Sequence, residues 1–181
     1  MQEWLIWPVS KTERVVRLTQ VQILSPPLLI MKFEFSAGGV VIRQVKSKKL
    51  KVKSGIEVLV CQHSQHHGWV FPKGLIGDNV KGEGKEETAI REVKEETGIE
   101  AKILKPLDPV IYWYVLDGIK IRKTVYYYVM EFVSGDFSKR DMEMENVEWL
   151  QVDKIEERLT YKSDKKVWQE AKKYLPLASS N

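Results

Sequence analysis

The sequence predicts an α/β sandwich built as one domain. Its 181 residues are enough to bury a sizeable core, and 43% hydrophobic with 30% charged residues is typical of a globular chain. From Met31 onward, strand-like and helix-like segments alternate irregularly and without an internal repeat. Irregular alternation favours an α/β sandwich over a repeated βαβ array.

Strands are predicted where β-branched and apolar residues form short runs bounded by turn residues. One run ends at Pro72, which cannot donate a hydrogen bond to a neighbouring strand. Asp117 and Gly118 predict a two-residue hairpin turn. The predicted strands are residues 36–43, 57–62, 69–71, 101–107, 110–116, 119–132 and 147–152.

The first predicted helix covers residues 85–97. Helical spacing places Ala89, Ile90 and Val93 on one side of it. Gly98 then supplies the left-handed residue that commonly follows the end of a helix.

Two later segments, residues 153–159 and 163–174, also have helical periodicity. We expect both to pack outside the sheet. The second carries Trp168 and Tyr174, which either cover the sheet or contact a partner.

Charge and cysteine content limit the class of protein. A net charge of +4 fits an anionic small-molecule substrate, although a lysine excess is also common on solvated surfaces. The most basic stretch, residues 46–53, is expected to be a solvated hairpin loop, so no nucleic-acid partner is predicted. The single cysteine, Cys61, excludes an internal disulfide, fits the cytoplasm and is expected to be buried in a strand. No run reaches the roughly 18 apolar residues of a membrane helix, so no membrane partner is expected.

Residues 1–30 differ from the rest. Their apolar start lacks a preceding basic region and a cleavage site, so a signal peptide is not expected. Val21-Gln22-Ile23 can be encoded by GTT-CAA-ATC, which matches the T-arm of a transfer RNA gene. One hypothesis is therefore that residues 1–30 are translated upstream DNA and that Met31 is the true start. The alternative is a flexible N-terminal extension.

An acidic pattern within the first predicted helix carries the chemistry. Glu92, Glu95 and Glu96 stand at i, i+3 and i+4, which places their carboxylates on one face. A positive group should offset their repulsion, and the hard cations Mg²⁺ and Mn²⁺ take such oxygen ligands together with substrate phosphates. Arg91, one turn from Glu87 and Glu95, can orient a carboxylate. A solvated acidic face is the alternative, but nine defined positions occur together: Gly77-x5-Glu83-x7-Arg91-Glu92-Val93-x-Glu95-Glu96-x-Gly98-Ile99.

This pattern resembles the Nudix box and meets every defined position of that signature. The resemblance extends from Phe33 to about Ala171. It implies a Nudix α/β/α sandwich with a mixed sheet, in which a loop-helix-loop carries the box, over a domain expected to span residues 31–181. It also implies hydrolysis of a nucleoside diphosphate linked to a further group.

The resemblance also implies roles for the box residues. Glu95 and Glu96 correspond to ligands of Mg²⁺ or Mn²⁺, and Glu92 to a further ligand or to the base that activates water. Glu83 and Arg91 support that cluster.

Two positions of the family pattern stay open in this sequence. A further carboxylate ligand is expected ahead of a late strand, with Glu143 as first choice and Glu145 as second. Pro-Lys-Gly is followed by a loop about three residues longer than usual in the family. Box spacing makes Gly77 the first glycine, whereas we favour Gly74, with its carbonyl near the metal.

Residues outside the box are expected to select the substrate. Lys73 is a candidate contact for the phosphates as a point charge, or else a surface lysine. His66 and His67 either line the same opening or lie in an exposed loop. Aromatic residues of two adjacent predicted strands are suited to stacking a purine, although such residues are more often core.

Four stretches together resemble bacterial diadenosine polyphosphate hydrolases: residues 36–40, the Tyr-Trp-Tyr run, residues 123–128 and residues 161–165. In that group an aromatic residue near Tyr114 stacks adenine and basic residues hold the phosphates. Tyr114 and Lys123 are the first candidates here, followed by Tyr126 or Tyr128. Strand alternation places those two on one face and Tyr127 on the other.

The predicted reaction is the asymmetric hydrolysis of diadenosine tetraphosphate to ATP and AMP. A MutT-like enzyme acting on nucleoside triphosphates is the main alternative, and ADP-ribose and messenger-RNA 5′ pyrophosphate are more distant ones. A non-catalytic nucleotide-sensing module is a different class, and such modules generally lose box glutamates. Both a monomer and a homodimer are compatible with the sequence.

Overall fold

A computed structural model of the protein describes residues 31–45 and 55–175. The hypotheses on residues 1–30 and on the basic stretch at residues 46–53 lie outside the described residues. No helix within the described ranges is long and apolar enough to cross a membrane.

Eight strands of the described residues form one mixed sheet. The strands are β1 (Met31–Val45), β2 (Gly55–His63), β3 (Trp69–Val70), β4 (Lys73–Leu75), β5 (Ile99–Pro106), β6 (Val110–Leu116), β7 (Ile119–Gly135) and β8 (Met144–Gln151). The central order of the sheet is β3-β2-β1-β7-β5, while β4 pairs with β1, β6 with β7 and β8 with β2. The β1–β7 pair is parallel and the other pairs are antiparallel.

Helices cover both faces of the sheet. Val40 and Tyr127 belong to the core shared with the two later helices, whereas Val41 and Tyr128 belong to the core beneath the first helix. Adjacent residues of each strand thus enter opposite cores, as strand geometry requires. The predicted α/β/α sandwich is confirmed. The helices are α1 (Lys85–Thr97), α2 (Ile155–Arg158) and α3 (Lys162–Ala171), with 3₁₀ turns at Phe137–Lys139, Val152–Lys154 and Lys172–Tyr174.

Helix α1 begins and ends where the sequence predicts, and Gly98 caps it with φ of 73°. The placement of Ile90 among its apolar residues was wrong, because this side chain is 41% exposed. The buried residues are Thr88, Ala89, Glu92, Val93, Glu96 and Thr97. They form two i, i+4 rows, one of which contains Glu92 and Glu96, and Ile90 lies outside both rows.

Strand β4 was not predicted. Ser36, Ala37 and Gly38 of β1 pair with β4, whereas the last residues of β1 pair with β2. A Cβ atom at residue 38 would overlap the carbonyl oxygen of Pro72, so glycine allows the two chains to approach this closely. This division of β1 brings Lys73 and Gly74 beside α1.

The remaining differences are mostly in length. Strands β1 and β7 run longer than predicted. Parallel pairing with β7 extends the start of β1 to Met31, and antiparallel pairing with β5 extends the end of β7 to Gly135. The last two predicted helices are each part α-helix and part 3₁₀ turn. The hairpin turn is confirmed, with φ of 51° at Asp117 and 76° at Gly118, and Cys61 is buried in β2 as expected.

Candidate active site

The start of α1 is fixed by its own side chains. The carboxylate of Glu87 accepts the backbone N–H of Gly84 at 2.8 Å, and Thr88 Oγ1 donates to both Glu83 and the Gly84 carbonyl at 2.9 Å. Because Glu87 forms this cap, it is not a partner of Arg91. Of the two neighbours predicted for Arg91, the structure shows contact only with Glu95.

Arg91 lies among four carboxylates. Its guanidinium donates to both oxygens of Glu83, to Glu92 at 2.6 Å and to Glu95 at 2.9 Å, and it contacts Asp78 at 3.1 Å. These hydrogen bonds raise the pKa of Arg91, and the bond from Arg91 lowers the pKa of Glu83. The planar fork of five donors allows one side chain to fix several carboxylates at once.

Two box carboxylates are buried. Glu92 is 7% exposed, and burial raises its pKa to about 7 against the opposing effect of Arg91. Glu96 is 2% exposed, and burial raises its pKa well above the ordinary value. The backbone N–H of Lys73 donates to Glu96 at 3.0 Å. Glu95 lies nearer the rim, with 42% of its side chain exposed.

The two candidate box glycines have different surroundings. A Cβ atom at Gly74 would overlap the carboxylate of Glu92. Gly77 has φ of 77° in the loop before α1, and a Cβ atom there would meet nothing within 4 Å. Gly74 is therefore the glycine that lies at the carboxylate cluster, which supports it as the equivalent of the first box glycine.

The donor set suits a hard divalent cation, because buried carboxylates with raised pKa values lack sufficient positive charge. Within residues 31–45 and 55–175, no three acidic, histidine or cysteine side chains are placed together so that they could hold a metal ion. Arg91 contacts Oε1 of Glu92 and Oε2 of Glu95. These hydrogen bonds take one oxygen of each carboxylate and leave the other oxygen of each for an ion.

Glu143 and Glu145 have different surroundings. The charge of Glu143 contributes to the raised pKa of Glu96, and its Oε1 lies 3.3 Å from His63 Nε2. Glu145 instead contacts His67 at 2.9 Å. His63 was missed in the sequence, although its place at the end of β2 was a usable signal.

The predicted loop histidines lie beside this region rather than inside it. His67 has φ of 54°, and 65% of its side chain is exposed. His66 stacks on His63, with 4.1 Å between ring centroids, and contacts the Tyr161 hydroxyl at 3.0 Å.

Lys73 connects the carboxylate cluster with the opposite face of the sheet. Burial disfavours its charge, but the charges of Asp164 and Glu96 hold its pKa above the ordinary value. Asp164 of α3 is 3% exposed and accepts the Phe71 N–H at 3.2 Å and the Tyr127 hydroxyl at 3.4 Å. Asp164 lies in the stretch 161–165 that the sequence analysis singled out, but it was given no role of its own, because it approaches these residues only through the packing of α3 on the sheet.

Tyr114 and Lys123 lie together. The Tyr114 hydroxyl donates to Glu34 at 2.6 Å, and Lys123 Nζ lies 3.8 Å from the same Glu34 oxygen. Burial lowers the pKa of Lys123, and the charge of Lys73 lowers it further. The structure thus brings Lys123 and Tyr114 together through Glu34, with Tyr112 6.3 Å from Tyr114 between ring centroids. The charge of Lys73 acts on both Lys123 and Tyr112.

Tyr126 and Tyr128 do not join this group. Both belong to the core beneath α1, on the other face of β7 from Tyr127. Tyr128 is 2% exposed and offers no free ring face, so its assignment to substrate stacking is corrected to a core role. Tyr126 is partly buried beside the ammonium of Lys85, 5.0 Å from the ring centre. Lys123 precedes Tyr126 by three residues and Tyr128 by five, so strand alternation places it on the opposite face of β7.

Comparison with known sequences identifies the domain. The NUDIX domain model matches residues 37–176. Over 136 residues, the chain is 36% identical to a Mycobacterium tuberculosis protein named as a mutator protein, MutT4, covering 74% of this chain and 52% of that one. An 8-oxo-(d)GTP phosphatase of Mycolicibacterium smegmatis is 35% identical over 112 residues, or 62% of this chain and 32% of that protein. The chain thus spans about half the length of the first relative and about a third of the length of the second.

A third relative is similar over most of its own length. The asymmetrical bis(5′-nucleosyl)-tetraphosphatase of Rattus norvegicus is 34% identical over 122 residues, covering 66% of this chain and 81% of that protein.

Solved structures share the fold. The C. elegans Ap4A hydrolase has a TM-score of 0.57 at 24% identity, covering 79% of this chain and 98% of that one. The NUDIX domain of Shewanella oneidensis NrtR, complexed with ADP ribose, has a TM-score of 0.61 at 15% identity, covering 84% and 95%. The domain match, the box on α1 and the shared fold together show that this chain belongs to the Nudix family.

Proposed function

We propose that this chain is a metal-dependent hydrolase that cleaves a phosphoanhydride bond in a nucleoside polyphosphate, preferably diadenosine tetraphosphate. The observation that carries this proposal is the position of Lys73. Its backbone N–H binds Glu96, while its ammonium carries the charge that also acts on Lys123. The carboxylate cluster and the basic, tyrosine-lined group therefore adjoin each other, as cleavage of a bound polyphosphate requires.

Mg²⁺ or Mn²⁺ would be held by Glu92, Glu95 and Glu96, with the carbonyl of Gly74 and the carboxylate of Glu143. When bound, the ion screens the charge of the polyphosphate and makes a coordinated water more acidic. The burial of Glu92 and Glu96 and the proximity of Gly74 support this assignment.

The protein side chains supply proton transfer and orientation. Glu92, with a pKa of about 7, is suited to accept a proton near neutral pH, so it is our candidate base if it is not a ligand. Arg91 orients Glu92 and Glu95, and Glu83 holds Arg91 with both carboxylate oxygens. Lys73 and Lys123 supply positive charge for the phosphates.

Diadenosine tetraphosphate is our preferred substrate because Tyr114 offers an aromatic ring beside Lys123. The similarity to the rat asymmetrical tetraphosphatase supports the same choice. The expected products are ATP and AMP. We expect a cytoplasmic monomer or homodimer, which the free, buried Cys61 fits.

A MutT-like activity on nucleoside triphosphates is the second candidate. The two mycobacterial relatives, one named as a mutator protein and one as an 8-oxo-(d)GTP phosphatase, have identities of 36% and 35% to this chain. A nucleotide-sensing role without catalysis is less well supported, because Glu92, Glu95 and Glu96 are all retained.

The test is a substrate panel with the full chain and Mg²⁺, Mn²⁺ or EDTA. The panel contains diadenosine tetraphosphate, 8-oxo-dGTP, dGTP, ADP-ribose and 5′-triphosphorylated RNA, with products separated by anion-exchange chromatography. We expect ATP plus AMP from the first compound, and no turnover in EDTA.

Glu96→Gln serves as the inactive comparison and Glu100→Gln, in an exposed Lys94 contact, as the matched control. Faster turnover of 8-oxo-dGTP than of diadenosine tetraphosphate would support the second candidate. Absence of turnover on the whole panel would overturn the enzymatic proposal.

A further inference from the structure

Strand β1 places one largely buried carboxylate, Glu34, against the two leading nucleotide-contact candidates. Glu34 is 9% exposed. Its Oε2 accepts the Tyr114 hydroxyl at 2.6 Å and lies 3.8 Å from Lys123 Nζ. Its Oε1 accepts Lys32 Nζ at 2.9 Å. A buried carboxylate is costly without such partners, so the partners hold Glu34 in one place and Glu34 in turn holds them.

The sheet register makes this contact long-range. Glu34 is the parallel partner of Lys123 in the β1–β7 pair. Tyr114 lies on β6, which pairs with β7 but not with β1. Glu34 therefore reaches across β7 and links three strands through one carboxylate.

The hydrogen bond to Glu34 occupies the hydroxyl of Tyr114 as a donor. Burial and the hydrogen bond to Glu34 raise the pKa of this phenol, so it remains a protonated donor. A ring whose hydroxyl is held at 2.6 Å has little freedom to swing away. Tyr114 is then suited to contact a ligand through its ring rather than through its hydroxyl.

The charge of the cluster stays positive. Glu34 supplies one negative charge, and two lysines, Lys32 and Lys123, contact it. Glu34 thus restrains Lys123 at 3.8 Å without cancelling the positive charge of the group. Positive charge remains available for a polyphosphate.

We propose that Glu34 is a positioning residue that holds the ring of Tyr114 for a nucleobase and the ammonium of Lys123 for the phosphates. This inference rests on the proposed function, because it assigns Tyr114 and Lys123 to the substrate. Glu34 acts on binding and lies outside the box, so its loss should raise KM and leave kcat nearly unchanged.

The test compares Glu34→Ala, Glu34→Gln, Tyr114→Phe and the double variant Glu34→Ala/Tyr114→Phe. We measure KM and kcat with diadenosine tetraphosphate, and the Kd of ATP in EDTA by calorimetry. Glu34→Ala should raise both KM and Kd about 10-fold, the loss expected for one charge-assisted hydrogen bond. Glu34→Gln keeps an acceptor for the Tyr114 hydroxyl and should retain much of the affinity.

The double variant separates positioning from a general structural effect. If Glu34 acts through the Tyr114 hydroxyl, Tyr114→Phe should weaken binding, and adding Glu34→Ala should weaken it by less than the product of the single effects. Glu100→Ala is the matched control, because Glu100 also accepts a lysine ammonium at 2.9 Å and a hydroxyl at 3.0 Å, at an exposed position of β5. It should leave both constants unchanged.

Each adverse result has a distinct meaning. Independent, multiplying effects of Glu34→Ala and Tyr114→Phe, or a loss confined to kcat, overturn the role of Glu34. If Glu34→Ala does not fold, Glu34→Gln and Tyr114→Phe supply the test. Unchanged KM and Kd in both of these variants overturn the role of Glu34. A wild-type protein that binds ATP but hydrolyses a different substrate refutes only the substrate choice, and the Kd comparison still tests Glu34. Failure of the wild type to bind or hydrolyse any nucleotide refutes both proposals.

Discussion

Gly74 lies directly against the carboxylate of Glu92, so a Cβ atom at residue 74 would overlap all three atoms of that group. Gly74→Ala should therefore displace Glu92 or β4. Misplacement of a catalytic group by about 1 Å typically costs on the order of 100-fold in rate. We expect a fall of that size in kcat for diadenosine tetraphosphate, measured with Mg²⁺, in a protein whose circular dichroism is unchanged.

Gly77→Asn is the matched control, since asparagine tolerates the left-handed backbone at φ of 77° and the position is open. It should retain activity within about threefold, because nothing lies within 4 Å of a Cβ atom there. A larger loss in Gly77→Asn than in Gly74→Ala would assign the box-glycine role to Gly77.

Arg91→Lys should weaken both stability and catalysis. Lysine keeps the charge but not the planar fork that reaches Glu83, Glu92 and Glu95. We expect the free energy of unfolding in urea to fall by about 1–3 kcal/mol, the usual range for lost charge-assisted hydrogen bonds. The kcat should fall by roughly 10-fold or more, since Glu92 and Glu95 lose their orientation.

The comparison variant is Arg158→Lys. Arg158 contacts Glu148 at 3.1 Å, with about 40% of both side chains exposed, so its replacement should change stability by no more than about 0.5 kcal/mol. Equal losses in the two variants would contradict a special role for Arg91.

The stability of the metal-free protein should fall as pH rises. Burial raises the pKa of Glu92 from 4.5 to about 7 and raises that of Glu96 well above 4.5. The folded protein therefore holds protons that the unfolded chain releases above about pH 4.5, and this stabilisation is lost as pH rises through the folded pKa values. Glu34 and Glu83 have pKa values lowered from 4.5, so their ionisation changes the stability only at pH values below this range.

Urea unfolding at pH 5 to 8 in EDTA measures this effect. Saturating Mg²⁺ should stabilise the protein most at pH 8, where the carboxylates are ionised. In EDTA, Glu92→Gln should reduce the pH dependence of the free energy of unfolding. A stability that does not change between pH 5 and 8 without metal would contradict the burial of these charges.

Helix α1 and the β6–β7 hairpin could be predicted because their signals are local. Helical spacing, Gly98 and Asp117-Gly118 act within a few residues of the structure they determine. Strand β4 has only three residues and exists through its pairing with β1 at Gly38, which no local pattern reveals. Ile90 was misplaced because polar residues, including Glu92, occupy the buried side of the helix.

The box could likewise be read from one segment, whereas the side chains around it could not. Glu34 and Tyr114, which form a hydrogen bond, are 80 positions apart in the sequence, and Asp164 and Tyr127 are 37 positions apart. Such contacts depend on strand order and helix packing. Strand alternation alone, however, already separated Tyr126 and Tyr128 from Lys123, so that part of the error was avoidable.

Glu143→Gln and Glu145→Gln distinguish the two candidates for the late carboxylate. The charge of Glu143 acts on Glu96, whereas Glu145 contacts His67 in an exposed loop. Loss of a carboxylate that supports a metal typically costs 10–100-fold in metal affinity or activity. We expect Glu143→Gln to raise the Mg²⁺ concentration for half-maximal rate about 10-fold, with part of kcat recovered at high Mg²⁺. Glu145→Gln should match the wild type, because it removes only a contact with a histidine that is 65% exposed. The reverse order would identify Glu145 as the ligand, and no effect in either would confine the metal site to Gly74 and the glutamates of α1.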